Sequence, residues 1–312
     1  MEKQKKIPKL RFPEFSDGWN SRKIKEVATI TSGTTPSRSN KLFFEDGNIP
    51  WVKTTDLNNS SITITEECVT EYAVNNTSLK INPVNSVLVA MYGGFNQIGR
   101  TGILEVEATT NQALSVLKAN TKIVSPKYIL FWLNHNIHLW RKYAVSSRKD
   151  PNITGSDVSS FPIRFPSITE QQKIASFFTA IDQKISQLKS KKTLLEQYKK
   201  GVMQKIFSQE IRFKDDNGQE FPKWEKKKFK DCLVPLSTRN FQIKSTSFNP
   251  TGRYKVIDQG KELIAGYSDN DDLVFKNTPI IVFGDHTTIL KYIDFEFIVG
   301  ADGTKLLKNK TG

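Results

Sequence analysis

The sequence predicts an α+β protein: a β-rich domain over residues 1–162, a long coiled-coil helix over 163–208 and an incomplete second β-rich domain over 209–312. Three observations carry that prediction. The chain repeats itself, its apolar runs are short and end in glycine, and one long segment repeats apolar residues every seven positions.

The repeat is weak but ordered. Leu10-Arg11-Phe12, Trp19 and Lys23-Ile24-Lys25-Glu26-Val27 have counterparts in Ile211-Arg212-Phe213, Trp224 and Lys228-Phe229-Lys230-Asp231-Cys232, with four extra residues before Trp224. Pro83 to Val89, running into Gly93-Gly94, is echoed by Asn277 to Phe283, running into Gly284; Thr110 to Lys118 is echoed by Ala301 to Lys308. Three matches in one order and at similar spacing point to duplication. Within each copy the signals favour strands: Ile62 and Ile64 alternate with Thr, Val87 to Met91 is an apolar run ended by glycines, and Ala113 to Leu117 is rich in branched residues. A helix is expected from Ser125 as N-cap and Pro126 as first helical residue, carrying Ile129, Trp132, Leu133, Ile137 and Trp140 onto the sheet.

After Ile163, the run Thr169-Glu170-Gln171-Gln172 reads as a capping box with Thr169 at the cap, opening a helix that meets no proline before about Phe207. At about 38 residues it spans roughly 57 Å. Ile174, Ile181, Leu188, Leu195 and Val202 form one heptad row; Phe178, Ile185, Lys192, Lys199 and Ile206 form the second. This is the pattern of a coiled-coil seam, interrupted at the two lysines, so the helix needs a partner helix. The partner could come from a completed second unit or from another copy of the chain.

Composition narrows the function. A 37% hydrophobic content fits globular domains, and no run approaches 18 apolar residues or resembles a signal peptide, so no membrane partner and a cytoplasmic location are expected. Cys68 and Cys232 are far apart and belong to no metal motif. The charge of +14 favours a polyanionic partner, nucleic acid above all, although Lys outnumbers Arg 36 to 10, as codon usage in an AT-rich genome would also produce. No GxxxxGK[ST] loop, no GxGxxG opening a helix and no Asn-Pro-Pro-aromatic run is present, so no cofactor site and no catalytic residue is expected. His135 and His138 lack a third ligand in the sequence nearby, and Asp285-His286 suits a loop contact as well as acid-base work.

Several elements in order resemble the DNA specificity (S) subunits of type I restriction-modification systems. They are Gly33-Thr34-Thr35-Pro36, Ile49 to Leu57 (IPWVKTTDL), Leu88-Val89-Ala90 with Ile98-Gly99-Arg100, Thr110-Asn111-Gln112, and Phe165 to Ile174 (FPSITEQQKI) followed by Asp182 and Ile185. The resemblance implies target recognition domains separated by spacer helices, each domain reading one half of a split site in double-stranded DNA. It also implies partners: methyltransferase (M) subunits that carry the S-adenosylmethionine site, and a restriction (R) subunit that translocates DNA with ATP. The likeness ends within the second recognition domain, after Leu306-Leu307, so self-association through the long helix is a further expectation.

Base readout needs forked donors or amides on loops that follow strands. The candidates for DNA contact are Lys53, Thr54 and Thr55; Tyr92, Asn96, Gln97 and Arg100; Arg148 and Lys149; and, in the second unit, Arg239, Gln242, His286 and Lys305. Arg100 ranks first because arginine forks onto guanine. Eight lysines between Lys173 and Lys205 leave the helix net basic, either facing phosphates or simply solvated.

Overall fold

A computed structural model describes residues 8, 10–144, 151–301 and 303–310. The chain divides into two compact units, Met1–Gln204 and Lys205–Gly312. The mixed α+β class with one long helix is as the sequence predicts.

The first unit is built on a five-stranded sheet. Its strands, in spatial order, are Ala28–Ser32, Leu114–Ala119, Val87–Ala90, Thr101–Leu104 and Ser60–Ile62; all pairs are antiparallel except the last. Val87 and Val89 enter one core with Ile103, Leu117 and the helix residues Ile129, Leu130 and Leu133, while Leu88 and Ala90 enter another with Leu104, Leu114 and Val116. Burial on both faces is why this strand is a continuous apolar run rather than an alternation. Against the sheet lies a small one of Cys68–Val69, Ile49–Val52 and Thr109–Thr110. Gly33 crosses its end so closely that a Cβ there would lie 2.2 Å from the Asn111 carbonyl oxygen, and Trp51 Nε1 donates to the Thr34 carbonyl at 3.2 Å. The glycine motif and the Thr110-Asn111 motif are thus two sides of one packing contact.

The helix over Pro126–His135 begins at Ser125, but the Ser125 hydroxyl caps nothing; Ile137 and Trp140 fall on a following 3-10 segment, Ile137–Lys142. The Ser125 amide instead donates to Gln171 Oε1 at 2.9 Å, and Gln171 Nε2 donates to the carbonyls of Ile123 and Pro166, both at 3.0 Å. That buried amide locks the base of the long helix onto the unit. The long helix itself is Ile168–Phe207, 40 residues or about 60 Å. Its cap corrects the sequence reading: Ser167 Oγ accepts from the Glu170 amide at 3.4 Å, so Thr169 already lies inside the helix. Ile64, expected in a strand, lies beyond the strand Ser60–Ile62 and is exposed.

The second unit repeats the plan. Its four-stranded antiparallel sheet runs Leu233–Leu236, Thr304–Asn309, Ile280–Gly284, Leu290–Ile293, the order of the first four strands of the larger sheet in the first unit. The register agrees as well: the row Leu117, Val87, Ile103 in the first unit corresponds to Leu307, Ile281, Tyr292 in the second. Parallel pairing of Trp51 with Thr109 has its counterpart in that of Val256 with Ile298. The repeat extends to a single arginine. Arg11 Nη2 donates to the Asp17 carbonyl at 2.6 Å, and Arg212 Nη2 to the Pro222 carbonyl at 2.7 Å, each two residues before the matching tryptophan.

Candidate nucleic-acid interface

In the first unit, the strand Ile49–Val52 delivers Lys53 to a tight 3-10 turn, Thr54–Asp56, in which the Lys53 amide donates to Asp56 Oδ2 at 2.7 Å. Thr55 is exposed there and Thr54 half-buried. The Lys53 ammonium donates to Glu66 Oε2 at 2.8 Å and Glu67 Oε1 at 2.6 Å, which holds it charged above the ordinary lysine range. Glu67 also accepts from Arg38 Nη1 at 2.5 Å. Hydrogen bonds from Arg38 and Lys53 together lower the Glu67 carboxyl to about 2. The sequence reading missed Arg38 and both glutamates, because three separate loops bring them together and no spacing links them.

Tyr92, Asn96, Gln97 and Arg100 share one glycine-rich turn after Val87–Ala90. Gly93 and Gly94 have φ of +107° and +74°, and Gln97 and Ile98 both donate backbone N–H to the Gly94 carbonyl. Tyr92 and Asn96 are exposed; Arg100 Nη1 donates to Gln97 Oε1 at 3.1 Å within the turn. A Cβ on Gly99 would lie 2.1 Å from the Trp140 ring, so this glycine serves packing. Arg148 and Lys149 lie outside the described residues. His135 and His138 sit on successive helical segments, and among the described residues no three His, Cys, Asp or Glu side chains gather as a metal site.

In the second unit, His286 and Lys305 converge on one carboxylate: Asp285 Oδ1 lies 3.4 Å from His286 Nε2 and Oδ2 lies 3.3 Å from Lys305 Nζ. Both side chains are largely exposed, unlike that of Lys53. Gln259, which the sequence reading missed, follows the strand Tyr254–Ile257 and accepts from the His286 amide at 3.4 Å. Its loop is anchored by Lys291, a buried lysine whose ammonium donates to the carbonyls of Asp258 at 2.7 Å and Glu262 at 2.6 Å. Burial lowers the Lys291 pKa against the opposing pull of Asp258. A signal for it exists in the sequence, since Lys291 alternates in phase with Ile293, the inward position, and out of phase with Leu290 and Tyr292. Arg239 is exposed, whereas Gln242 is half-buried in a two-residue strand paired with Val299, and Lys305 lies in the strand Thr304–Asn309 rather than in a loop.

The long helix is divided in its use. Ala175 is buried, Ile174 packs on the core of the first unit, and Phe178 meets Phe131 at 5.4 Å between ring centroids. The first position of each expected seam row therefore serves the unit itself. Ile181, Ile185, Leu188 and Leu195 are exposed, and Val202 and Ile206 are half-exposed, together with Leu194 and Tyr198 beside them. No helix among the described residues is long and apolar enough to cross a membrane.

The chain is similar to several known proteins. The chain is 29% identical over 233 residues to the type I restriction enzyme MjaIX specificity subunit of Methanocaldococcus jannaschii, covering 71% of this chain and 53% of that protein. It is 27% identical over 175 residues to the EcoR124I/EcoR124II specificity subunit of Escherichia coli, covering 55% and 43%. The chain spans about half the length of these curated relatives. Among solved structures, the type I restriction-modification system S subunit from M. genitalium matches with a TM-score of 0.60 at 15% identity, over 98% of this chain and 76% of that one, a likeness of fold. The family model for the type I restriction modification DNA specificity domain matches residues 16–197, more than half of the chain. On that match, which takes in most of the first unit and of the long helix, the chain belongs to the type I restriction modification DNA specificity family.

Proposed function

We propose that this chain directs a type I methyltransferase and restriction complex to a bipartite DNA site and performs no chemistry itself. Residues 1–162 and 209–312 act as recognition domains, each reading one half-site, and residues 163–208 act as the spacer between them. The observation that carries this reading is the same sheet topology and register built twice in one basic chain. Two like folds with unlike loops at the same sheet ends are what two different half-sites require. Lys53, Thr54, Thr55, Tyr92, Asn96, Gln97 and Arg100 supply the contacts of the first domain, and Arg239, Gln242, His286 and Lys305 those of the second, with Gln242 and Lys305 reaching from strands.

The methyltransferase subunits bring the methyl donor and the restriction subunit brings translocation and cleavage. The open row Ile181, Ile185, Leu188, Leu195, Val202 and Ile206 takes a second helix, and a second copy of the chain can provide it. Selection from a pool of randomised duplexes, with the chain mixed with a type I methyltransferase subunit, tests the reading. It predicts enrichment of a defined sequence, with binding that weakens as salt rises. An unenriched pool, or methyl transfer or cleavage by the isolated chain, would overturn it.

A further inference from the structure

The Glu67 carboxylate collects two cations that differ in what they can still reach. Lys53 has 17% of its side chain exposed and donates to two carboxylates. Arg38 has 54% exposed. Its guanidinium carbon lies 4.6 Å from the centroid of the Phe44 ring and 4.9 Å from that of Trp51, and among the described residues Glu67 is its one hydrogen-bond partner. A guanidinium carries five N–H donors, so most of this fork points away from the contact with Glu67. The two aromatic faces and the carboxylate restrict the rotamers of a side chain that is otherwise costly to order.

The neighbourhood also limits the ligand. Arg38 and Lys53 are balanced by Glu66 and Glu67, and the Asp56 carboxylate accepts from the Lys53 and Glu66 amides beside them, so the cluster has no net positive charge with which to attract a phosphate. An ordered fork in a setting without net positive charge suits an uncharged acceptor pair. In duplex DNA that pair is O6 and N7 of guanine in the major groove. Arg100, by contrast, is tied to Gln97 within its own turn and has no ring beneath it among the described residues.

We propose that Arg38 is the side chain with which the first unit reads a guanine, and that Glu67, Phe44 and Trp51 position it. This rests on the DNA-recognition reading above. The same selection from randomised duplexes, run with Arg38→Lys and Arg38→Ala in the full chain with a methyltransferase subunit, tests it. Arg38→Lys keeps the charge and the pairing to Glu67 but loses the fork. The expected result is a tenfold to hundredfold loss of preference for guanine at one position of one half-site. The other positions stay as they were, and the salt dependence of binding is unchanged. Glu67→Gln loosens the same position by less, since it acts through Arg38.

Three results overturn the proposal while leaving DNA recognition intact: the same selected sequence with both Arg38 variants, a half-site without guanine, or a uniform loss of affinity with a salt slope reduced by about one, the mark of a phosphate contact. Failure of the unsubstituted chain to select any sequence overturns the recognition reading, and this proposal with it. Should Arg38→Ala not fold, as judged by its thermal melt, Arg38→Lys alone is read.

Discussion

Ile103 in the first unit and Tyr292 in the second stand at equivalent positions of equivalent sheets, yet one is 1% exposed and the other 66%. The row beside them differs in the same way: Leu117 and Val87 are fully buried, whereas Leu307 and Ile281 are only partly covered. In the first unit this face is closed by the Pro126–His135 helix, the strand Pro162–Phe165 and the base of the long helix. Among the described residues, the second unit has the sheet and its other core, around Ile257, Val282, Phe297 and Leu306, without that cover. In the first unit the cover is a layer separate from the core on the opposite face of the sheet. Phe229 is 63% exposed where its counterpart Ile24 is fully buried, and Phe213 and Trp224 are exposed where Phe12 and Trp19 are partly covered.

The sharpest way to break this contrast is through the matched arginines. Arg11 donates to both oxygens of Glu170, at 2.8 and 2.6 Å, and that carboxylate is 1% exposed. Arg212 keeps the backbone bond, but the nearest carboxylate it meets is Glu220 at 4.0 Å, 74% exposed. Glu170→Ala leaves a guanidinium without its partner at the base of the long helix. It should lower the calorimetric melting temperature of the first unit by roughly 10 °C, whereas Glu220→Ala should shift the second unit by under about 2 °C.

A packing pair probes the cover itself. Ile103→Ala opens a cavity in a closed core and should cost about 3 kcal/mol in urea unfolding, while Tyr292→Ala removes an exposed ring and should cost under about 1 kcal/mol. Equal costs would mean that the open face of the second unit is closed in solution.

The long helix repeats the contrast along its own length. Paired Leu188→Asp and Leu195→Asp substitutions should weaken association at least about tenfold in sedimentation equilibrium and leave the melting of the first unit in place, because neither side chain touches it. Loss of the melting transition instead would place these residues in the core.

The smallest effect expected is an acid-range pH dependence set by Glu67 in the first unit. Glu67 titrates at about 2 when folded, below its ordinary 4.5, so its contribution is fully present above about 4.5 and is lost as pH falls towards 2. Glu67→Gln should remove that part of the acid profile, an effect under about 1 kcal/mol for a partly solvated group.

Much of this architecture is legible in the sequence because it rests on periodicity. The heptad rows and the lack of proline give a long helix ending at about Phe207, and the duplicated apolar runs give the sheet strands in both units. Local chemistry is harder to place. The cap of the long helix lies two residues before the Thr169 expected, since Ser167 and Thr169 offer similar hydroxyls and tertiary packing of Gln171 decides between them. Lys53 stands out in the sequence by its place after a strand, where the structure also has it; what neutralises it comes from Glu66 and Glu67 across a loop, which linear spacing does not reveal. Arg38 escaped notice for the same reason. Lys291 could have been found from strand phase alone, had a lysine been allowed on the inward side.

The central claim is that each unit reads its own half of a split site. Mapping methylated sites across the genome of a cell that expresses this chain with a type I methyltransferase subunit tests it directly. The account predicts two different short defined sequences separated by an unspecified spacer, or a split palindrome if two copies of the first unit pair. A single continuous recognition sequence, or methylation without sequence preference, would contradict it.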